Sequence, residues 1–125
     1  MRQTDVNLPS HLAMAWPTLV VMREAGRALT NSEIENAVAD HLKLDEVQRR
    51  RPKSPKSTGR TLLGYRLAWS RTLLKNMGAI TNPEPATWIP TDYGSRTTSE
   101  EVQQFIDRMY RTLGERVEAR HSSRP

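Results

Sequence analysis

The chain has 125 residues, 36% hydrophobic and 6% aromatic, with a formal charge of +5, enough for one domain with its own core. It has no cysteine, which excludes disulfides, thiolate metal sites and thiol catalysis; no apolar run approaches the ~18 residues a membrane span needs, and the opening MRQTDVNLPSH lacks the apolar run of a secretory signal, so a cytoplasmic protein is expected. The charge is uneven: residues 1–46 sum to −3 and 84–125 to −1, whereas 47–83 carry nine basic side chains (Arg49, Arg50, Arg51, Lys53, Lys56, Arg60, Arg66, Arg71, Lys75) and no acid, the footprint expected of a surface that meets a polyanion.

Residues 1–9 read as a loose N-terminus. Leu12, Trp16, Leu19, Val20 and Arg23 then recur at helical spacing, and Pro17 fits a first turn, where its missing N–H costs nothing. A first helix is therefore predicted over 15–25, ended by Gly26. After a short apolar step at Ala28 and Leu29, Thr30 with Glu33, or Ser32 with Glu35, has capping-box spacing. It opens a second helix with Ile34, Ala37, Val38, His41 and Leu42 as the buried stripe. Residues 45–57, DEVQRRRPKSPKS, hold two prolines, three consecutive arginines and no periodicity, which predicts an exposed basic loop, mobile until it meets its partner.

A third helix is predicted to begin near Thr58 or Thr61 and to end at Gly78. Stepped at 100° per residue, Leu62, Leu63, Leu67, Trp69, Leu73, Leu74 and Met77 share one arc. Arg60, Gly64, Ala68, Arg71, Thr72 and Lys75 take the rest, and Arg66 sits within the apolar arc. Trp69 is thus assigned to the core and Arg71 to the exposed face. Ala79–Asn82 and Thr87–Pro90 read as a β-hairpin around Pro83-Glu84-Pro85-Ala86, with Trp88 assigned to the core. Thr97 and Thr98, each three residues before a glutamate, start a last helix with Val102, Phe105, Ile106, Met109, Leu113 and Val117 as its stripe. The domain division that follows is 1–9 flexible, 10–94 the binding domain, 95–118 a packing or dimerisation helix and 119–125 a tail.

Little else in the sequence suggests chemistry. His11, His41 and His121 are not at metal-ligand spacing, and His41 reads as a packed or half-exposed residue. Gly59 and Gly64 have the P-loop interval, but Tyr65 and Arg66 follow where Lys and Ser/Thr are needed. Glu33/Glu35 and Glu100/Glu101 are explained by the dipole of helix first turns. No metal, cofactor or catalytic group is expected.

Helix, short strand, helix, loop, helix, hairpin is the order of a winged helix-turn-helix, a mainly α fold with a small hairpin. Its third helix enters the major groove, which is wide enough for one helix. The run Tyr65–Ile80 resembles the N-terminal winged-helix domain of Mrr-type restriction endonucleases through Arg66, Trp69, Leu74, Lys75, Gly78 and Ile80. Trp88-Ile89-Pro90-Thr91-Asp92-Tyr93-Gly94 is similar to that family's closing strand and Thr-x-x-Gly, and Leu8-Pro9 and Pro17-Thr18-Leu19 to its opening, so the resemblance spans residues 8–94. It departs at Met77 and in the basic loop 50–57. The resemblance implies a DNA-binding winged helix of the kind that often delivers a nuclease to modified or foreign DNA. The nuclease itself is not expected in these residues, because no Asp-x-Lys or Glu-x-Lys occurs.

The expected function is that of a non-catalytic, nucleoid-associated or regulatory binder of double-stranded DNA, or a defence-associated factor. The helix around 60–78 would enter the groove, with the loop and the wing on phosphates. Arg49, Arg50, Arg51, Lys53, Lys56, Arg60, Thr61, Arg66, Arg71 and Lys75 are the expected DNA-binding residues. The core from 12 to 89 reads as closed without the last helix, so Val102, Phe105, Ile106, Met109 and Leu113 are expected to pair two copies into a homodimer. The alternatives are a protein-interaction module of the same fold and the DNA-reading part of a modified-DNA restriction system.

Overall fold

The computed structural model describes residues 8–56 and 59–122, with side chains as far as Leu113. The expectations for residues 1–7, Thr58, the Val117 side chain and the tail beyond Ser122 lie outside the described residues. The chain enters α1 (Ala15–Ala25) through a turn in which the Met14 N–H donates to the Ser10 carbonyl at 3.0 Å. It leaves at Gly26, whose φ of 66° is the left-handed conformation that glycine tolerates best. β1 (Leu29–Thr30) leads directly into α2 (Asn31–His41). Of the two possible capping boxes the chain uses the first: the Glu33 N–H donates to Thr30 Oγ1 at 3.1 Å and the Thr30 N–H to the Glu33 carboxylate at 2.9 Å. After the short α3 (Glu46–Arg50), α4 (Leu62–Met77) is capped by Thr61 and ended by Gly78.

β2 (Ile80–Thr81) and β3 (Thr87–Pro90) form the antiparallel wing, with Ile80 opposite Pro90. β1 pairs with the other side of β3, Leu29 opposite Trp88, giving the sheet order β1-β3-β2. Met14, Leu19, Met22, Ile34, Leu63, Leu67, Leu74 and Ile80 are buried together between α1, α2, α4 and this sheet. The result is the predicted winged-helix arrangement, mostly helical with a three-stranded antiparallel sheet.

Four expectations are corrected. The segment 45–57 is not wholly aperiodic: Asp45 and Gln48 form a second capping box, which starts α3 despite the arginines that follow. His41 is exposed rather than packed or half-exposed, because α2 buries Ile34, Val38 and Ala39. On α4, Trp69 is 51% exposed while Arg71 is 8% exposed, the reverse of the assignment from periodicity. The core is also not closed without the last helix. α6 (Ser99–Ser122) lays Val102 and Ile106 into it, with Phe105 and Met109 packed at its margin, so these four serve first to complete the chain's own domain.

A short helix that sequence reasoning did not foresee, α5 (Asp92–Arg96), turns the chain from the wing into α6. It is built by the Thr-x-x-Gly motif. The Thr91 hydroxyl donates to the Gly78 carbonyl at 2.6 Å and accepts the Gly94 N–H at 3.0 Å, and the Thr91 N–H donates to the Ala79 carbonyl at 2.9 Å. A Cβ on Gly94 would stand 1.8 Å from that same Ala79 oxygen. Arg23 on α1 closes the joint by donating to the Gly94 carbonyl at 2.8 Å and to the Thr97 carbonyl, with its guanidinium over the Trp16 ring.

Candidate nucleic-acid interface

α4 exposes Trp69, Thr72, Lys75 and Asn76, with Tyr65 and Ala68 half-buried beside them. The helix is set at this angle because Ser70 and Arg71 point inward. The Ser70 hydroxyl donates to the His11 carbonyl at 2.6 Å, tying α4 to the turn before α1, and the Arg71 stem occupies the seam toward β3. Trp69 stood at the edge of the apolar arc, where a small rotation of the helix decides whether a side chain is covered.

Beside the N-terminus of α4 the basic segment is folded back on itself. The Lys53 N–H donates to the Arg60 carbonyl at 3.0 Å, the Leu62 N–H to the Arg51 carbonyl at 2.8 Å, and Pro52 pairs with Thr61 as an isolated antiparallel bridge. Lys53 Nζ lies 4.6 Å and the Arg60 guanidinium carbon 5.3 Å from the centre of the Tyr65 ring. The ring's electron-rich face attracts both and holds two like charges close together. Lys56 is exposed beyond them.

The other expected contact residues divide by what they already hold. Arg49 is half-buried, donating to the Leu44 carbonyl at 2.9 Å and to Asp40 at 2.9 Å. Arg50 is exposed in an i,i+4 pair with Glu46, of the sort that contributes little to stability. Arg51 is half-buried. Arg66 donates to the carbonyls of Leu8 and Pro9 at 2.8 and 3.0 Å, fastening the entry segment to α4. Thr61 accepts the Gly64 N–H at 3.0 Å and donates its own hydroxyl proton to Glu35 of α2 at 2.9 Å. The outward cations among the expected contact residues are therefore Arg50, Lys53, Lys56, Arg60 and Lys75, and three of them belong to the folded-back segment.

Arg71 and Lys75 flank Trp88 of the wing, at 5.6 and 5.9 Å from the ring centre. The indole N–H of Trp88 donates to Asn31 Oδ1 at 2.8 Å, so Trp88 is half-buried and fixed between α2 and α4. The Nε of Arg71 is buried without a hydrogen-bond partner. Burial pushes its pKa down, and the nearby Glu35 charge pushes it back up in part. A buried charge of this kind is retained at a cost, whereas its stem fills space. Arg71→Ala is expected to lower stability by about 2 kcal/mol through the cavity it leaves. Arg71→Met, which keeps the stem, is expected to stay within about 1 kcal/mol of the wild type. Urea unfolding of both variants checks the pair.

The wing itself, from Asn82 to Ala86, bears Glu84 and no cation. Asn82 is occupied with the Thr87 carbonyl at 2.7 Å. On the opposite flank, α4 and α6 border a groove of about 450 Å³ lined chiefly by His11, Tyr65, Trp69, Met109 and Tyr110. The sequence reading missed this groove because it had assigned Trp69 to the core.

Among the described residues no group of three or more His, Asp or Glu side chains could hold a metal ion, and no helix is long and apolar enough to cross a membrane. Comparison with curated proteins and with solved structures gives no match. A family model described as the Mrr N-terminal domain matches residues 13–100, from the turn before α1 to the first turn of α6, and so includes α4, the wing and the Thr91–Gly94 joint. With the match covering well over half of its residues and the winged-helix arrangement in place, the chain belongs to the Mrr N-terminal domain family.

Proposed function

We propose that the chain is a non-catalytic binder of double-stranded DNA that sets α4 in the major groove and holds the flanking phosphates with Lys53, Lys56 and Arg60, with further contact from Arg50 and Lys75. The observation that supports this most is the grouping of exposed cations around the N-terminal end of α4, inside a stretch with no acid. Arg49, Arg66, Thr61 and Arg71 then act by shaping the surface, and Arg51 through its backbone pairing with Leu62. With four to five phosphate contacts, log K for random duplex DNA is expected to fall against log salt with a slope of about −4. Fluorescence anisotropy at several salt concentrations measures it, and a flat dependence or no binding at low salt overturns the proposal. The biological setting that suits such a binder is regulatory, nucleoid-associated or defence-related, in the cytoplasm.

A second role is favoured by a separate observation. Trp69, Tyr110 and Leu113 are 51%, 45% and 44% exposed, and the first two line the groove between α4 and α6. Apolar exposure of this extent suits a protein contact, including homodimer pairing through Leu113 and the margin residues Phe105 and Met109. Val102 and Ile106 are buried in the chain's own core, so they suit a test of pairing poorly. Solution mass across a concentration series for wild type and for Tyr110→Glu with Leu113→Glu provides one. A single-chain mass for the wild type at tens of micromolar excludes pairing.

A further inference from the structure

The leading end of α4 has few side chains that can reach a base. Gly64 and Ala68 are small, the Thr61 hydroxyl is engaged as the helix cap, and the Tyr65 ring is covered by Lys53 and Arg60. One polar group is brought to this end from another element. Glu35 of α2 reaches the first turn of α4, where Thr61 donates to its Oε2 at 2.9 Å. Its Oε1 lies 3.0 Å from the place a Cβ would take on Gly64, so the absence of a side chain there makes room for the carboxylate. Among the described residues, no protein donor meets that second oxygen. Nor is the group taken up as a counter-ion: Arg71 is close enough to feel its charge, yet no ion pair joins them, and the Arg71 Nε remains buried without a partner.

A carboxylate at this place is a chemical filter. It repels phosphate, and when ionised it only accepts hydrogen bonds. In the major groove the donors are the N4 amino group of cytosine and the N6 amino group of adenine, whereas guanine and thymine present acceptors from O6 and O4. We infer that Glu35 is a specificity-determining residue, whose free oxygen selects a cytosine or adenine amino group at the base pair facing the first turn of α4. The inference rests on the DNA-binding function proposed above. Thr61 is a positioning residue: its hydroxyl fixes the direction of the carboxylate.

The test is selection of bound sequences from a randomised duplex pool by the full chain, for wild type, Glu35→Gln and Glu35→Asp, with thermal melting of each. The wild type is expected to enrich cytosine or adenine at one position per site. Glu35→Gln keeps the shape and adds a donor, so it should admit guanine or thymine there, with about a ten-fold loss of discrimination. Glu35→Asp keeps the charge but withdraws it by one methylene, and should weaken the same preference. The salt slope should be unchanged in both, because no phosphate contact is lost. A Glu35→Gln variant that keeps the wild-type preference, or lowers only the melting temperature, overturns the inference and assigns Glu35 a structural role. Wild-type binding with no base preference also overturns it while leaving the proposed DNA binding intact, and absence of wild-type binding overturns both.

Discussion

Gly94→Ala is expected to be the most damaging single substitution in the chain. The added methyl would lie 1.8 Å from the Ala79 carbonyl oxygen, far inside van der Waals contact, and the obstacle is backbone rather than a side chain that can swing away. Relief requires α5 to back off. That movement breaks the Gly94 N–H bond to Thr91, and with it the geometry in which Thr91 also bonds to the Gly78 carbonyl and Arg23 to the Gly94 carbonyl. The loss is expected to be about 3–4 kcal/mol, the range of severe overpacking combined with broken, partly buried hydrogen bonds. Gly26 is the contrasting site: nothing lies within 4 Å of a Cβ there, so Gly26→Ala meets only the strain of a left-handed backbone, about 1 kcal/mol. Urea denaturation of the two variants side by side checks the order. A Gly94→Ala protein as stable as Gly26→Ala would mean that α5 does not sit against Ala79.

The second large effect concerns charge. Replacing Lys53, Lys56 and Arg60 together by alanine is expected to weaken binding to random duplex DNA by about two to three decades at 0.1 M salt and to flatten the salt slope by about 3. Counterion release makes each lost phosphate contact worth nearly one decade at that concentration. Stability should change little, since all three side chains are exposed. The loss should be similar for every sequence tested, because phosphate carries no base information. Anisotropy titrations against two unrelated duplexes check both statements, and a triple variant with wild-type affinity would move the phosphate contacts away from this segment.

What could be read from the sequence was whatever is decided locally. The capping boxes, the start of α4 and the terminating Gly26 and Gly78 depend on residues within one helical turn: both glycines stand where spacing places them, and of the alternatives spacing leaves open the chain uses Thr30/Glu33 and Thr61. The face of α4 is a different kind of quantity. Periodicity defines an arc only to within a side chain or so at each edge, and Trp69 and Arg71 both lie at edges. Their assignment turned on the Ser70 hydroxyl finding the His11 carbonyl and on Trp88 covering the Arg71 guanidinium, contacts spanning 59 and 17 residues. Composition likewise masks α3, because the signal of three arginines and two prolines outweighs the local capping pair Asp45 and Gln48. The stripe on α6 was correctly seen as apolar, but no pattern within a helix states whether the surface covering it is its own domain or a second copy. Thr91 and Gly94 were visible as a motif, and only the Ala79 carbonyl explains why the second must lack a side chain.

The bridge between Pro52 and Thr61 has a kinetic consequence. A free basic loop would have to be ordered as it met DNA, and that search would slow the final step of association. Here the ends of the segment are already joined, and Lys53 and Arg60 already share the Tyr65 ring, so the entropy of closing the loop is spent during folding rather than at encounter. On the proposed DNA-binding function, association would be governed by diffusion in the field of these cations, and ionic strength would act first on the rate of arrival. Under that proposal the surface would sample many sites briefly, and how long it stayed at any one of them would be left to the side of α4 proposed to face the groove.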